Sequence, residues 1–169
     1  LLETTAAVGL TGRELTALRL RDIEADTGLV TVRPLERGRS RTVPLGTAAG
    51  RWLRRYLAEA RPRLVVGRTP TDALFVSQHG RPLTFSDAAH IARAAARAAG
   101  LPTRRVLSAL KDSLAVQLLE AGCDPRYLAA LFGHADLQSV RKYQRMSVQQ
   151  LREVHRRHHP AERTGGGHP

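Results

Sequence analysis

A histidine and a tyrosine near the C-terminal end are the pair of residues best suited to chemistry. His134 follows Gly133, a residue type that commonly ends a helix, and Tyr143 comes nine residues after the histidine. A tyrosine hydroxyl is a potential nucleophile, and an imidazole can hydrogen-bond a charged reaction partner. Three basic residues surround the tyrosine: Arg141, Lys142 and Arg145. We expect these cations to lower the pKa of the tyrosine and to attract phosphate. The alternative is a packing tyrosine on an amphipathic helix.

The charge of the chain indicates the kind of partner. The 169 residues carry a formal net charge of +12, with a strong preference for arginine over lysine. Codon bias can exchange lysine for arginine, but it leaves the net charge unchanged. An excess of this size is typical of proteins that bind a polyanion, most often nucleic acid, so the charge predicts a nucleic-acid partner.

Several other classes of protein are disfavoured by the composition. A single cysteine, Cys123, excludes an internal disulfide and a cysteine-based metal cluster. Neither a phosphate-binding loop, an apolar run of about 20 residues, nor a signal peptide is visible. The histidines at 155, 158 and 159 lack a completing ligand and indicate a basic helix end. We therefore expect no metal, cofactor, small-molecule substrate or membrane, and a cytoplasmic, nucleoid-associated location.

The hydrophobic pattern predicts a mainly α domain with a small three-stranded antiparallel β-sheet. Strands are predicted at 29–32, 42–45 and 74–77, and Leu10–Leu20 is predicted to end an amphipathic helix. Pro62 is expected to break the helix at 47–60, and Gly100 the helix at 86–99. Four more helices are predicted at 105–121, 124–132, 137–145 and 148–157, with Asp124 and Asp136 as N-caps. We expect residues 1–159 to form one domain and 160–169 a disordered tail.

Several short segments together resemble the catalytic domain of tyrosine recombinases, the phage integrase family, most closely its Xer type. They are Gly9–Leu15, Arg41–Leu45, Ala73–Val76, Gly80–Leu83, Leu118–Gly122, Leu131–His134 with Tyr143, Val154–His155 and His159–Pro160. Each segment alone is weak evidence for the resemblance. Together the segments occur in the family's order, with sensible spacing, and cover nearly the whole chain. The family's first catalytic-domain helix is shortened, and its N-terminal DNA-clamping domain has no counterpart, so we expect a fragment of a longer protein.

The resemblance implies a reaction and roles for two residues. In the family a tyrosine hydroxyl attacks a DNA phosphate, leaving a 3′-phosphotyrosine and a free 5′-hydroxyl without a metal. Tyr143 matches that nucleophile, and His134 matches a position that hydrogen-bonds the scissile phosphate. Protein cations stabilise the developing charge, for which the planar arginine fork is well suited.

The remaining catalytic positions depart from the family pattern. Thr11 stands where the first arginine belongs, and Arg13 lies roughly 200° around a helix from it. The hairpin position of the catalytic lysine is occupied by Glu36 and Arg37, with Arg39 beyond Gly38. An arginine does not readily donate a proton and so cannot replace the lysine as a general acid, although Arg37 and Arg39 can still bind DNA.

The family's His-x-x-Arg segment aligns with Ser108 and Lys111. Positions three apart share a helix face, so both side chains should point the same way. Lys111 retains the charge but loses the bidentate fork, and Ser108 is no base at neutral pH. The alternative is a solvent-facing lysine paired with Asp112 or another neighbour.

We therefore predict a recombinase-type domain that binds double-stranded DNA, as the resemblance implies, and whose strand cleavage is impaired. One alternative is an active enzyme in which Thr11, Ser108 and Lys111 form a rearranged phosphate pocket. Another is a generic basic helical DNA-binding protein, in which the site residues would be scattered. Predicted DNA contacts are Arg37, Arg39, Arg41, Arg141, Lys142 and Arg145. The resemblance also implies that the 148–157 helix docks on another subunit, in a homo- or hetero-oligomer.

Overall fold

The architecture is mainly helical, with one small sheet. The computed structural model describes residues 1–35, 40–133 and 137–145. The helices are α1 (Leu2–Val8), α2 (Gly12–Ala17), α3 (Thr47–Arg55), α4 (Arg61–Val65), α5 (Phe85–Ala98), α6 (Val106–Glu120) and α7 (Pro125–Phe132). The strands are β1 (Ile23–Glu24), β2 (Leu29–Val32) and β3 (Arg41–Pro44), and residues 138–145 are helical. This confirms the predicted fold class.

The sheet has the predicted three antiparallel strands, but one of them was wrongly placed. The strand order is β1-β2-β3, and Val30 pairs with both Ile23 and Val43. In place of the predicted strand, the segment 74–77 makes one isolated bridge, Val76 with Pro82, and the preceding residue Ala73 makes another with Arg19. The apolar run there reflects burial in the core: Leu74 is fully buried. Continuous apolar runs do not distinguish strands from other buried segments.

The bounds of the helix predicted at Leu10–Leu20 were also wrong, because only Gly12–Ala17 is α-helical and turns lie on both sides of it. Gly9 adopts a left-handed conformation (φ 67°) and ends α1. Thr11 then begins α2 with a capping box to Glu14, and α2 ends at Ala17. Leu10 and Leu18 are buried from non-helical backbone, so their spacing reflected a shared core and not a shared helix.

Pro62 does not end the helical path, contrary to the prediction. A π-helical turn at Tyr56–Ala60 follows α3, and the helical path continues as α4 to Val65. Pro62 lies in the first turn of α4, where its missing N–H costs no helical hydrogen bond.

The core joins the helices to the inner face of the sheet. Val30, Val32 and Val43 pack into the same buried cluster as Leu128 and Tyr143. Predicted helix ends are confirmed at Asp124, whose side chain accepts a hydrogen bond from the Arg126 N–H, and at left-handed Gly133. Among the described residues, no helix has both the length and the apolarity to cross a membrane.

Candidate functional site

A buried ion pair links α2, β3 and the end of α7. The Arg41 Nη1 donates to Glu14 Oε1 at 2.6 Å, and its Nε donates to the Leu131 carbonyl at 2.8 Å. The two charged side chains are only 11% and 12% exposed. We call Glu14, Arg41 and the Leu131 carbonyl the inner corner. It fixes the C-terminal end of α7, just before His134, to the sheet.

Two opposing effects set the pKa of the Glu14 carboxyl. Burial disfavours its charged form, but hydrogen bonds from Arg41 and Thr11 and the Arg41 charge outweigh burial, so the pKa lies below its ordinary value. Glu14 is therefore ionised at neutral pH. Arg41, predicted as a DNA contact, has its guanidinium committed to this carboxylate and to the end of α7. The DNA contact of Arg41 stays a prediction: two of its three guanidinium nitrogens are bonded within the fold, and Nη2 has no hydrogen-bond partner among the described residues.

Thr11 is part of the local structure of α2. Its hydroxyl and its backbone N–H each donate to Glu14 Oε2 at 2.8 Å, and the Glu14 N–H donates back to the hydroxyl at 3.2 Å. These reciprocal bonds satisfy free groups at the start of the helix. The expected first-arginine position thus holds a short neutral side chain bonded to a carboxylate. Arg13, two residues on, is exposed to solvent.

Lys111 is buried, which excludes the alternative of a solvent-facing lysine paired with Asp112. The residue is 9% exposed, and its Nζ lies 4.4 Å from the centre of the Phe132 ring. Burial lowers the pKa of its ammonium group, opposed by the Glu14 charge and reinforced by Arg41. Lys111 therefore places a costly, weakly hydrated positive charge beside the inner corner.

Tyr143 is buried, and its acidity departs from the prediction. It is 1% exposed and packs edge-on against Phe132, with ring centres 5.7 Å apart. Burial raises the pKa of its hydroxyl; Lys142 lowers it by less, and Asp112 raises it further. The predicted lowering by neighbouring cations is wrong because desolvation of the phenolate outweighs their attraction.

Lys142 and Asp112 form an ion pair beside the tyrosine. The Lys142 Nζ lies 3.5 Å from Asp112 Oδ1 and 4.4 Å from the centre of the Tyr143 ring. Burial would lower the pKa of this ammonium group, but Tyr143 and Asp112 outweigh it and raise the pKa. This pair connects α6 to the helical segment at 138–145, in front of the candidate nucleophile.

Ser108 faces a separate opening on the other side of α2. It is exposed and lines a cavity of about 300 Å³. The cavity wall consists of Gly12, Phe85, Ala89, Ala92, Arg93, Arg105, Val106, Leu107 and Ser108. We call this space the cationic cavity, because arginine supplies its only ionisable side chains. The sequence did not single out Arg93 or Arg105.

The other predicted residues divide into two groups. Arg141 and Arg145 are exposed and free to meet a polyanion. His134, Glu36, Arg37, Arg39, Asp136, the 148–157 helix and the 160–169 tail lie outside the described residues. Within the described ranges, no cluster of histidine, cysteine and carboxylate side chains could hold a metal ion.

The described site residues form one connected set of contacts. Thr11 bonds Glu14, Glu14 bonds Arg41, and Arg41 bonds the α7 segment that carries Phe132. Phe132 in turn contacts both Lys111 and Tyr143. The hypothesis of a generic basic protein required the five positions Thr11, Ser108, Lys111, His134 and Tyr143 to be scattered. The contacts join Thr11, Lys111 and Tyr143, which disfavours it. Sequence reasoning missed Glu14 as a site residue, although Thr11-x-x-Glu14 has capping-box spacing.

Comparison with known proteins identifies the family. Residues 1–150 match the model of the phage integrase family. The chain is 37% identical over 161 residues to "Tyrosine recombinase XerC 2" of Ralstonia nicotianae, covering 95% of this chain and 46% of that protein. It is also 37% identical over 161 residues to "Tyrosine recombinase XerD" of Pseudomonas aeruginosa, covering 95% and 53%. The chain belongs to the phage integrase family, and it spans about half the length of these relatives.

Solved structures share the same fold. XerA recombinase superposes with a TM-score of 0.79 at 25% identity, over 94% of this chain and 56% of that one. XerH recombinase bound to palindromic difH substrate gives a TM-score of 0.73 at 24% identity, over 92% and 44%. The resemblance drawn from the sequence segments is therefore confirmed.

Proposed function

We propose that this chain is the DNA-binding, catalytic-type domain of a tyrosine recombinase whose own strand cleavage is strongly impaired. The relatives at 37% identity are tyrosine recombinases by name, and the net charge of +12 suits a DNA partner. In this proposal Tyr143 holds the nucleophile position, His134 a phosphate-binding position, and exposed Arg141 and Arg145 contact the DNA backbone. Arg37, Arg39 and Lys142 are further DNA contacts.

The observation that carries the proposed impairment is the pairing of Thr11 with Glu14. In place of an arginine that would hold a phosphate, the site has a hydroxyl bonded to an ionised carboxylate. Ser108 and Lys111 weaken the site further, since Ser108 lacks the imidazole of the family's histidine and Lys111 lacks the guanidinium fork of its arginine. Losing one such donor costs about 3 kcal/mol of transition-state stabilisation, or a hundredfold or more in rate, and these losses are not additive.

Covalent trapping on DNA tests the impairment. A random-sequence pool of nicked duplexes would be incubated with the wild-type chain, with Tyr143→Phe, and with a variant carrying Thr11→Arg, Glu36→Lys, Ser108→His and Lys111→Arg. We expect no adduct on a denaturing gel from the wild type, and a tyrosine-dependent adduct from the four-fold variant. Adding Tyr143→Phe to that variant is the matched control. A wild-type adduct that Tyr143→Phe abolishes would instead support the active enzyme with a rearranged pocket.

Salt titration tests DNA as the partner. Neutralised phosphates release counterions, so the affinity for a fluorescein-labelled duplex should fall by about 10³ or more between 50 and 200 mM salt if six or more phosphates are contacted. Fluorescence anisotropy measures this directly. Binding that does not vary with salt would contradict the proposed partner.

A further inference from the structure

We propose that Arg93 and Arg105 bind a backbone phosphate of DNA in the cationic cavity, beside the positions that have lost their family residues. The inference rests on the proposed DNA-binding function and names a contact that would support it. The cavity lies next to Thr11 and includes Ser108, two of the three described positions that depart from the family pattern. Phosphate binding there would retain DNA affinity without restoring cleavage.

Close packing brings three helices together at this cavity. A Cβ added to Gly12 would lie 2.6 Å from the Phe85 ring and 3.0 Å from Leu107 Cδ1. Glycine at this position therefore allows the starts of α2, α5 and α6 to meet. Arg93 projects from α5 and Arg105 directly precedes α6, so the cavity draws its two guanidinium groups from different elements.

Charge makes the cavity selective for an anion. No carboxylate lines it, and the ion pairs of the described residues use Arg19, Arg33, Arg41, Arg55 and Lys142. Arg93 and Arg105 are exposed and belong to none of these pairs. A guanidinium keeps its charge at all physiological pH values and can bind two phosphate oxygens, and the Ser108 hydroxyl can donate to a third.

Backbone strain singles out one of the two arginines. Arg105 has a φ of 53°, the only positive φ of a non-glycine residue among the described residues. The left-handed conformation is unfavourable for a non-glycine residue, and such strain concentrates at functional sites. The strained residue here is also a cavity-lining cation.

The size and lining of the cavity favour a phosphodiester over a larger ligand. A volume of about 300 Å³ is at the lower limit for a drug-sized molecule, but it is ample for one phosphate group. Phe85, 53% exposed at the rim, offers an apolar surface to the sugar or base next to that phosphate. The same guanidinium chemistry would also accept free inorganic phosphate, which serves as a local probe.

The test compares a cavity variant with a control that loses the same charge. The cavity variant carries Arg93→Ala and Arg105→Gly, with glycine chosen to suit the backbone conformation. The control carries Arg97→Ala and Arg104→Ala, two exposed arginines near the cavity that do not line it. Inorganic phosphate is titrated into each protein while the Gly12 and Ser108 amide resonances are followed by NMR.

We expect phosphate to shift both resonances in the wild type and the control, and to leave them unshifted in the cavity variant. With a labelled duplex, the slope of log affinity against log salt should fall by about 1 in the cavity variant. The inference would be overturned if the control lost the phosphate-induced shifts and the salt dependence as much as the cavity variant does. It would also be overturned if neither variant differed from the wild type. Failure of the wild type to bind duplex DNA would instead contradict the proposed function itself.

Discussion

The inner corner and the cationic cavity lie on either side of the start of α2, and they treat positive charge in opposite ways. In the inner corner, the Arg41 guanidinium has a carboxylate at 2.6 Å and a carbonyl at 2.8 Å. In the cationic cavity, Arg93 and Arg105 face no carboxylate. One region bonds its cation on two sides within the fold, whereas the cations of the other belong to none of the ion pairs of the described residues.

This difference separates two of the positions that depart from the family pattern, Thr11 and Ser108. Thr11 has become part of the capping of α2 and, through Glu14, of the buried corner. Ser108 remains at the surface beside free arginines. Substitutions in the corner should therefore change mainly stability, whereas substitutions in the cavity should change mainly binding.

The largest expected effect comes from breaking the inner corner with Arg41→Met. It leaves the Glu14 carboxylate largely buried without its cation, so the free energy of unfolding should fall by about 4 kcal/mol. Urea unfolding followed by circular dichroism measures the loss. The matched control is Arg55→Met, whose partner Glu59 is 59% exposed and whose loss should cost below about 1 kcal/mol.

The same variant has a pH signature. Because the folded-state pKa of Glu14 is lowered, its stabilising contribution is present above the unfolded-state pKa and disappears as pH falls through the folded-state value. The stability difference between wild type and Arg41→Met should therefore shrink in acid. Equal costs for the Arg41 and Arg55 variants at neutral pH would remove the contrast between buried and exposed pairs.

A second substitution breaks the packing around the corner instead of its charge. Gly9→Ala would place a methyl group into the Phe132 ring while holding a left-handed φ of 67°, so we expect a loss of about 3 kcal/mol. Gly28→Ala has the same φ of 67° but open space around it, and should cost about 1 kcal/mol. Thermal unfolding compares the two. A similar loss in both would show that strain, and not contact with Phe132, dominates at Gly9.

The sequence predicted the fold well where residues act locally. Asp124 as an N-cap, Gly133 as a left-handed helix end and the strand at 29–32 follow from side-chain chemistry within a few residues. Predictions failed where a run of buried apolar residues had the sequence pattern of a strand without forming one. The apolar segment at 74–77 is buried on all sides without joining the sheet, so β-branched and aromatic residues there carried no information about strand pairing.

The site could be predicted only in part, because its energetics depend on contacts between distant segments. Of the residues that the family-like spacing singled out, Thr11, Lys111 and Tyr143 lie in one connected set of contacts, whereas Ser108 lines a separate cavity. It did not reveal that Arg41 would pair with Glu14 across 27 positions of sequence, or that Tyr143 would be buried. Since desolvation decides the pKa of Tyr143, neighbouring charges in the sequence gave the wrong direction of shift.

A smaller effect of opposite sign is expected at the cavity. Arg105→Gly relieves the left-handed backbone of a non-glycine residue, so the free energy of unfolding should rise by about 0.5–1 kcal/mol. The same variant should bind duplex DNA more weakly, because it loses one of the two guanidinium groups. Chemical unfolding and anisotropy are measured on the same preparation, with Arg104→Gly as the control at a residue of negative φ. A loss of stability in Arg105→Gly would mean that the arginine makes structural contacts, as Arg41 does.

The smallest expected effect lies at the exposed ion pair in front of Tyr143. Lys142 is 60% exposed and Asp112 33%, so a double-mutant cycle with Lys142→Met and Asp112→Asn should give a coupling of about 0.5 kcal/mol or less. The pair should matter more for the tyrosine than for stability. Lys142→Met should raise the pKa of Tyr143 further, and Asp112→Asn should lower it towards its ordinary value.

Ultraviolet titration at alkaline pH separates these outcomes, with Tyr143→Phe identifying the Tyr143 contribution. Because burial holds the folded-state pKa above the unfolded-state value, Tyr143 stabilises the fold below the unfolded-state pKa, and this contribution is lost as pH rises through the folded-state one. Asp112→Asn should weaken that dependence and Lys142→Met should strengthen it. If both substitutions shift the pKa of Tyr143 in the same direction, the charges of Lys142 and Asp112 do not have opposite effects on that pKa. The exposed side of the site would then be electrostatically separate from its nucleophile position, in contrast to the tightly coupled inner corner.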